Sequence, residues 1–109
     1  MEKDNTWKTY SAEECVELEQ INRSYKSCLD EGKTERECVK LAVKMLREHG
    51  YRDLKEFIDG QKTLGAGDKV YAVCMGKSIA AFHIGTEPLE KGMNILGAHI
   101  DSPRIDVKQ

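Results

Sequence analysis

The sequence predicts an α/β fold in which N-terminal helices precede a β-hairpin and a third strand. Three observations carry this reading. Two Ser/Thr-x-x-Glu signatures, at Ser11 and Thr34, each precede apolar residues spaced three and four apart. Two apolar runs, Lys69 to Met75 and Ser78 to Gly85, are separated by Gly76-Lys77 alone. A further apolar run at Asn94 to Ala98 leads into a His-x-Asp triplet at His99 and Asp101.

The helical part comes first, over residues 1–62, and the strands follow over 63–109. Ser11 caps a helix and Glu14 reaches back to it; Cys15, Leu18, Ile21, Tyr25, Cys28 and Leu29 then form one stripe. Gly32 is expected to stop this helix in a left-handed conformation. Thr34 and Glu37 start the next, with Cys38, Leu41, Ala42, Met45 and Leu46 on one face and Gly50 at its end. The short link Gly32-Lys33 predicts that the two helices run antiparallel. A third helix is expected from Arg52 to Asp59, burying Leu54, Phe57 and Ile58. Trp7 and Tyr10 are the docking groups of an otherwise exposed lead-in.

From Thr63 the pattern changes. Gly65-Ala66-Gly67-Asp68 has glycines, but not the spacing or flanking elements of a phosphate-binding loop, and reads as a turn into the sheet. The two strands that follow are apolar on both faces, as in a sheet covered on both sides. Gly76-Lys77 suits a tight turn of the primed type between them. Asn94 to Ala98 forms the third strand.

Composition narrows the function classes. The chain has 109 residues, enough for one domain or part of a larger one. Its net charge of −2 offers no basic surface for nucleic acid or an anionic membrane. No apolar stretch approaches the roughly 20 residues of a membrane span, and MEKDNTWKTYSAEE contains no signal-peptide core. A cytoplasmic location follows as the expectation. Cys15, Cys28, Cys38 and Cys74 form no C-x-x-C pair and read as small hydrophobes in a reducing compartment. His49 reads as a helix C-terminal residue and His83 as a core or rim residue of the second strand.

His99 and Asp101 remain. On a strand, residues two apart share a face, roughly 6–7 Å from each other. An imidazole there can bind a metal while the carboxylate orients it. Gly97-Ala98 just before them leaves room for close approach, and ligands of open α/β sheets bind beyond the C-terminal strand ends. By itself the triplet also fits a strand-end histidine capped by a carboxylate.

The longer string decides between these. Gly97-Ala98-His99-Ile100-Asp101-Ser102-Pro103-Arg104-Ile105-Asp106-Val107-Lys108 resembles the segment of M18-family metalloaminopeptidases that holds the first zinc ligand. The resemblance continues upstream through Gly67-Asp68-Lys69-Val70-Tyr71, Gly76-Lys77-Ser78-Ile79-Ala80 and Ile84-Gly85. It covers roughly residues 35 to 109 and is nearest to the bacterial, clostridial type.

The resemblance implies the start of a zinc-peptidase catalytic domain, with a substrate class of peptides and two zinc ions per complete site. It implies that His99 binds zinc and that Asp101 orients the imidazole and counts as catalytic. It also implies a homo-oligomer in the complete enzyme. The general base and remaining ligands would lie beyond Gln109, so the chain alone is expected to be inactive. The rival reading is a non-catalytic α+β interaction or assembly module that uses the helical stripes.

Overall fold

Ser11 opens the first helix by the reciprocal exchange its sequence predicts. The Glu14 amide donates to the Ser11 hydroxyl (3.2 Å), and the Ser11 amide donates to the Glu14 carboxylate (2.7 Å). Helix α1 runs over Ala12–Glu31. The structure, a computed structural model, describes residues 5–101. Ser102, Pro103, Arg104 and Asp106, which carry part of the resemblance, lie outside the described residues. Contacts divide the chain into two units, residues 1–31 and 32–109, and each is described by itself.

In the first unit, Asn5 caps a single 3-10 turn at Thr6–Lys8, and Trp7 meets Tyr10 edge to face at 6.0 Å. The stripe of α1 has the predicted period but does not form a core. Leu18 and Cys28 are half-buried, whereas Ile21, Tyr25 and Leu29 are exposed. Gly32 also departs from expectation, because it is not among the residues with positive φ. Thr34, the cap of the next helix, is extended (φ −129°, ψ 160°).

In the second unit, helix α2 spans Glu35–Glu48, with the Glu37 amide donating to the Thr34 hydroxyl (3.3 Å). The Glu37 carboxylate completes the cap one residue further back than expected, accepting from the Lys33 amide at 3.1 Å. Gly50, at φ +83°, ends the helix in the left-handed region, where an L side chain is strained. A two-residue strand β1, Arg52–Asp53, follows and precedes helix α3, Leu54–Asp59. The third helix therefore starts two residues later than its apolar pattern implies. Asp53 is its cap, accepting from the Lys55 amide at 2.9 Å.

Strands β2 (Lys69–Cys74) and β3 (Ser78–His83) form the predicted antiparallel hairpin, with Lys69 opposite His83 and Cys74 opposite Ser78. The turn sits one residue earlier than Gly76-Lys77: Met75 (φ +52°) and Gly76 (φ +68°) take the left-handed positions. Positive φ at two successive central residues is the primed geometry that matches strand twist. Strand β1 adds on the other side of β2, in parallel, giving the sheet order β1-β2-β3.

The sheet thus has three strands, but the third is Arg52–Asp53 and not Asn94–Ala98. Residues 92–101 adopt no regular element, and Ile95 and Leu96 are exposed. A strand is held by its cross-strand neighbours, and among the described residues β3 is paired only with β2. Val70 and Tyr71, adjacent and so on opposite faces of β2, are each 1% exposed; this end of β2 is covered on both sides. The expectation of two covered faces fails for β3, where Phe82 and His83 are exposed.

Val39, Phe57, Val70 and Tyr71 are the buried apolar side chains among the described residues. Arg47 closes this core from outside. Its Nε donates to the Tyr71 hydroxyl at 2.8 Å, and its guanidinium lies 5.9 Å from the ring centre. That bond, with the negative charge Tyr71 would carry if ionised, raises the Arg47 pKa further. Arg52 lies over Phe57 at 4.5 Å in the same manner. The glycine-containing loop is a turn, as expected. The Gly65 amide donates to the Asp68 carboxylate, Gly67 donates to the Ile84 carbonyl (2.7 Å), and Ile84 returns a bond to Asp68 (2.9 Å). No helix among the described residues is long and apolar enough to cross a membrane.

Candidate metal centre

After Gly92, where φ is +108°, the chain continues to Asp101 without helix or strand. His99 and Asp101 consequently do not share a strand face. The backbone folds so that the imidazole turns toward the aspartate. His99 Nδ1 lies 2.9 Å from the Asp101 backbone carbonyl and 3.4 Å from its carboxylate Oδ1.

This contact selects a tautomer. A carbonyl oxygen only accepts, so Nδ1 carries the proton that the bond requires. The lone pair then resides on Nε2, the form in which a neutral imidazole binds a metal. The Asp101 carboxylate, 3.4 Å away, places a second acceptor beside the same ring nitrogen. Both side chains are mostly exposed, at 78% and 73%, so the pair forms an open wall and not an enclosed pocket. Its donor chemistry fits one zinc ligand, an imidazole nitrogen oriented by a carboxylate. Among the described residues, no three His, Cys, Asp or Glu side chains cluster closely enough to hold a metal.

The other histidines behave as structural residues. His49 follows α2, and its Nδ1 lies 2.8 Å from the Met45 carbonyl. His83 ends β3 at the exposed rim, in register with Lys69. All four cysteines are free. Cys28 and Cys38 are half-buried, as small hydrophobes should be, but Cys15 and Cys74 are exposed. Among the described residues, the structure brings no further candidate to the His99–Asp101 pair.

Comparison with known proteins gives the family of the chain. The profile of the aminopeptidase I zinc metalloprotease family (M18) matches residues 28–109. The chain belongs to the M18 family. An M18 member from Clostridium acetobutylicum, named as a probable M18 family aminopeptidase 1, is 44% identical across 99% of the chain, which covers 23% of that protein. The vacuolar aminopeptidase 1 of Saccharomyces cerevisiae is 25% identical across 98% of the chain, or 20% of its own length. The crystal structure of aminopeptidase I from Borrelia burgdorferi superimposes with a TM-score of 0.82 at 36% identity, over 93% of this chain and 24% of that one.

The likeness to M18 members therefore extends through α1, further upstream than the motif strings alone indicate. The chain spans about a quarter of the length of these M18 relatives.

Proposed function

We propose that this chain is the N-terminal portion of the catalytic domain of a zinc-dependent aminopeptidase, acting on the N-terminal residues of peptides. One observation supports the reading: in a chain of the M18 family, the Asp101 carbonyl lies 2.9 Å from His99 Nδ1, which leaves Nε2 free to take a metal. His99 would hold a zinc ion and Asp101 would orient it. Zinc held there would supply Lewis acidity toward the scissile carbonyl and toward an attacking water. The remaining ligands and the general base belong to a part of the enzyme beyond residue 109, so the chain alone is inactive in this proposal. The complete enzyme would be a cytoplasmic homo-oligomer, a location that suits four free thiols.

A chimaera tests this directly. The chain is joined to the remaining three quarters of the Clostridium relative and assayed for release of N-terminal residues. Activity that is lost with a chelator, restored by zinc and abolished by His99→Ala is the expected result. An active chimaera indifferent to His99→Ala would overturn the site assignment.

A further inference from the structure

Helix α1 carries Leu18, Ile21, Asn22 and Tyr25 at positions i, i+3, i+4 and i+7, one face of a helix. With Glu19, and with Trp7 from the preceding 3-10 turn, they line a pocket of about 320 Å³ that lies wholly within the first unit. Two aromatic rings, two aliphatic side chains, a carboxylate and an amide border the same space, and among the described residues no lysine or arginine does. Trp7 is held at this pocket by two contacts. Its amide donates to the Asn5 side chain at 3.1 Å, and its ring meets Tyr10 edge to face.

The polar groups of the pocket are uncommitted. Among the described residues Glu19 is in no ion pair, not even with Arg23 four residues on, and the half-buried Asn22 side chain makes no hydrogen bond. Glu13, Glu14 and Glu17 precede Glu19 with no lysine or arginine between Ala12 and Asn22, so this half of α1 presents a negative field. Aromatic faces attract cations, tryptophan most strongly, and a guanidinium both stacks on a ring and pairs with a carboxylate. The arginines described in the second unit are each engaged within it. Arg36 donates to the Met75 carbonyl, Arg47 to the Tyr71 hydroxyl, and Arg52 lies over Phe57 beside Asp68. The complement of the pocket is therefore an organic cation supplied from outside the chain.

We propose that this pocket binds the arginine side chain of a peptide. The guanidinium lies against the Trp7 and Tyr25 rings and pairs with the Glu19 carboxylate, while the Asn22 amide oxygen accepts a further N–H. The aliphatic stem of the arginine runs along Leu18 and Ile21. The proposal is independent of the zinc-peptidase reading, and its test does not use activity.

Trp7 is the only tryptophan in the chain, so its fluorescence reads the pocket directly. The 109-residue chain is titrated at constant ionic strength with acetyl-Gly-Arg-Gly-amide, and with the same peptide carrying lysine or citrulline in place of arginine. The arginine peptide should shift the Trp7 emission with a dissociation constant on the order of 1 mM. The lysine peptide should bind about fivefold more weakly, and the uncharged citrulline peptide should leave the emission unchanged. Glu19 is an exposed helix position, so Glu19→Gln should fold as the parent does by far-UV circular dichroism, yet weaken binding about tenfold. An emission that the arginine peptide leaves unmoved at about ten times that concentration overturns the proposal, whether the pocket is empty or filled by another part of the same chain. So does a lysine or citrulline peptide that binds as tightly as the arginine peptide, or a folded Glu19→Gln chain that binds as the parent does.

Discussion

His99 meets its partner through two different atoms of Asp101, and they are not equivalent. The backbone carbonyl is nearer, at 2.9 Å, and survives any substitution of the side chain; the carboxylate lies at 3.4 Å. In the active chimaera, Asp101→Ala should therefore lower activity less than His99→Ala, by about 10–100-fold, the usual effect of losing an orienting carboxylate. Equal losses would mean that the carboxylate acts directly in the reaction. Glu14 supplies a residue-scale prediction for pH. Its hydrogen bonds from the Ser11 amide and hydroxyl lower its pKa below the ordinary glutamate value. A lowered folded-state pKa means that the cap stabilises α1 fully above the ordinary value and fails as pH falls through the lowered one. Far-UV ellipticity should fall across that acidic window, and Glu14→Gln should remove that part of the transition. Both capping pairs were legible because a cap is a local device, readable from four consecutive residues. The geometry at His99 was not, because the period-two argument presumes a strand that residues 94–98 do not form.

At the scale of elements, the hairpin shows how turn chemistry can mask itself. Gly76 marks the turn, but its partner in the left-handed region is Met75, which sequence preference would not choose. Met75 is 86% exposed, so its side chain contributes little packing. Met75→Asn should stabilise the second unit by about 0.5 kcal/mol, since asparagine tolerates positive φ. Gly76→Ala should destabilise it: φ is +68°, and an added Cβ would lie 3.2 Å from Arg36 Nη1. Urea denaturation of the two variants checks both signs. The strand β1 escaped the sequence reading for a different reason. Two residues carry no periodicity, and Arg52 and Asp53 are poor strand formers placed by pairing with Val70 and Tyr71. Apolar run length misled in the opposite direction at Asn94–Ala98. A hydrophobic run can only become a strand where an edge receives it.

Across the whole molecule, apolar surface exceeds what the fold covers. Phe82, Ile95 and Leu96 are exposed, and among the described residues nothing pairs with the outer edge of β3. An open edge beside exposed hydrophobic residues is an aggregation hazard. The isolated chain should bind an apolar-surface dye such as ANS, and joining it to the rest of an M18 relative should suppress that binding. Undiminished dye binding in an active chimaera would show that these residues face solvent in the complete enzyme as well. The α/β class was legible because both helix caps and the hairpin are encoded within short windows. The covering of β3 was misjudged because apolar character on both faces reports what a strand needs, not what this length of chain supplies.

The clasp between the Gly65–Asp68 turn and Ile84 has one more consequence. Ile84 is anchored on both sides, by its amide to Asp68 and by its carbonyl to Gly67. Fifteen residues beyond that anchor the chain reaches His99, a leash that even fully extended spans about 50 Å. Any zinc-bearing remainder of the active site that settles on this sheet meets the imidazole as a tethered ligand. Its effective concentration would be on the order of millimolar, with most of the entropy of bringing it there already lost when the sheet folded.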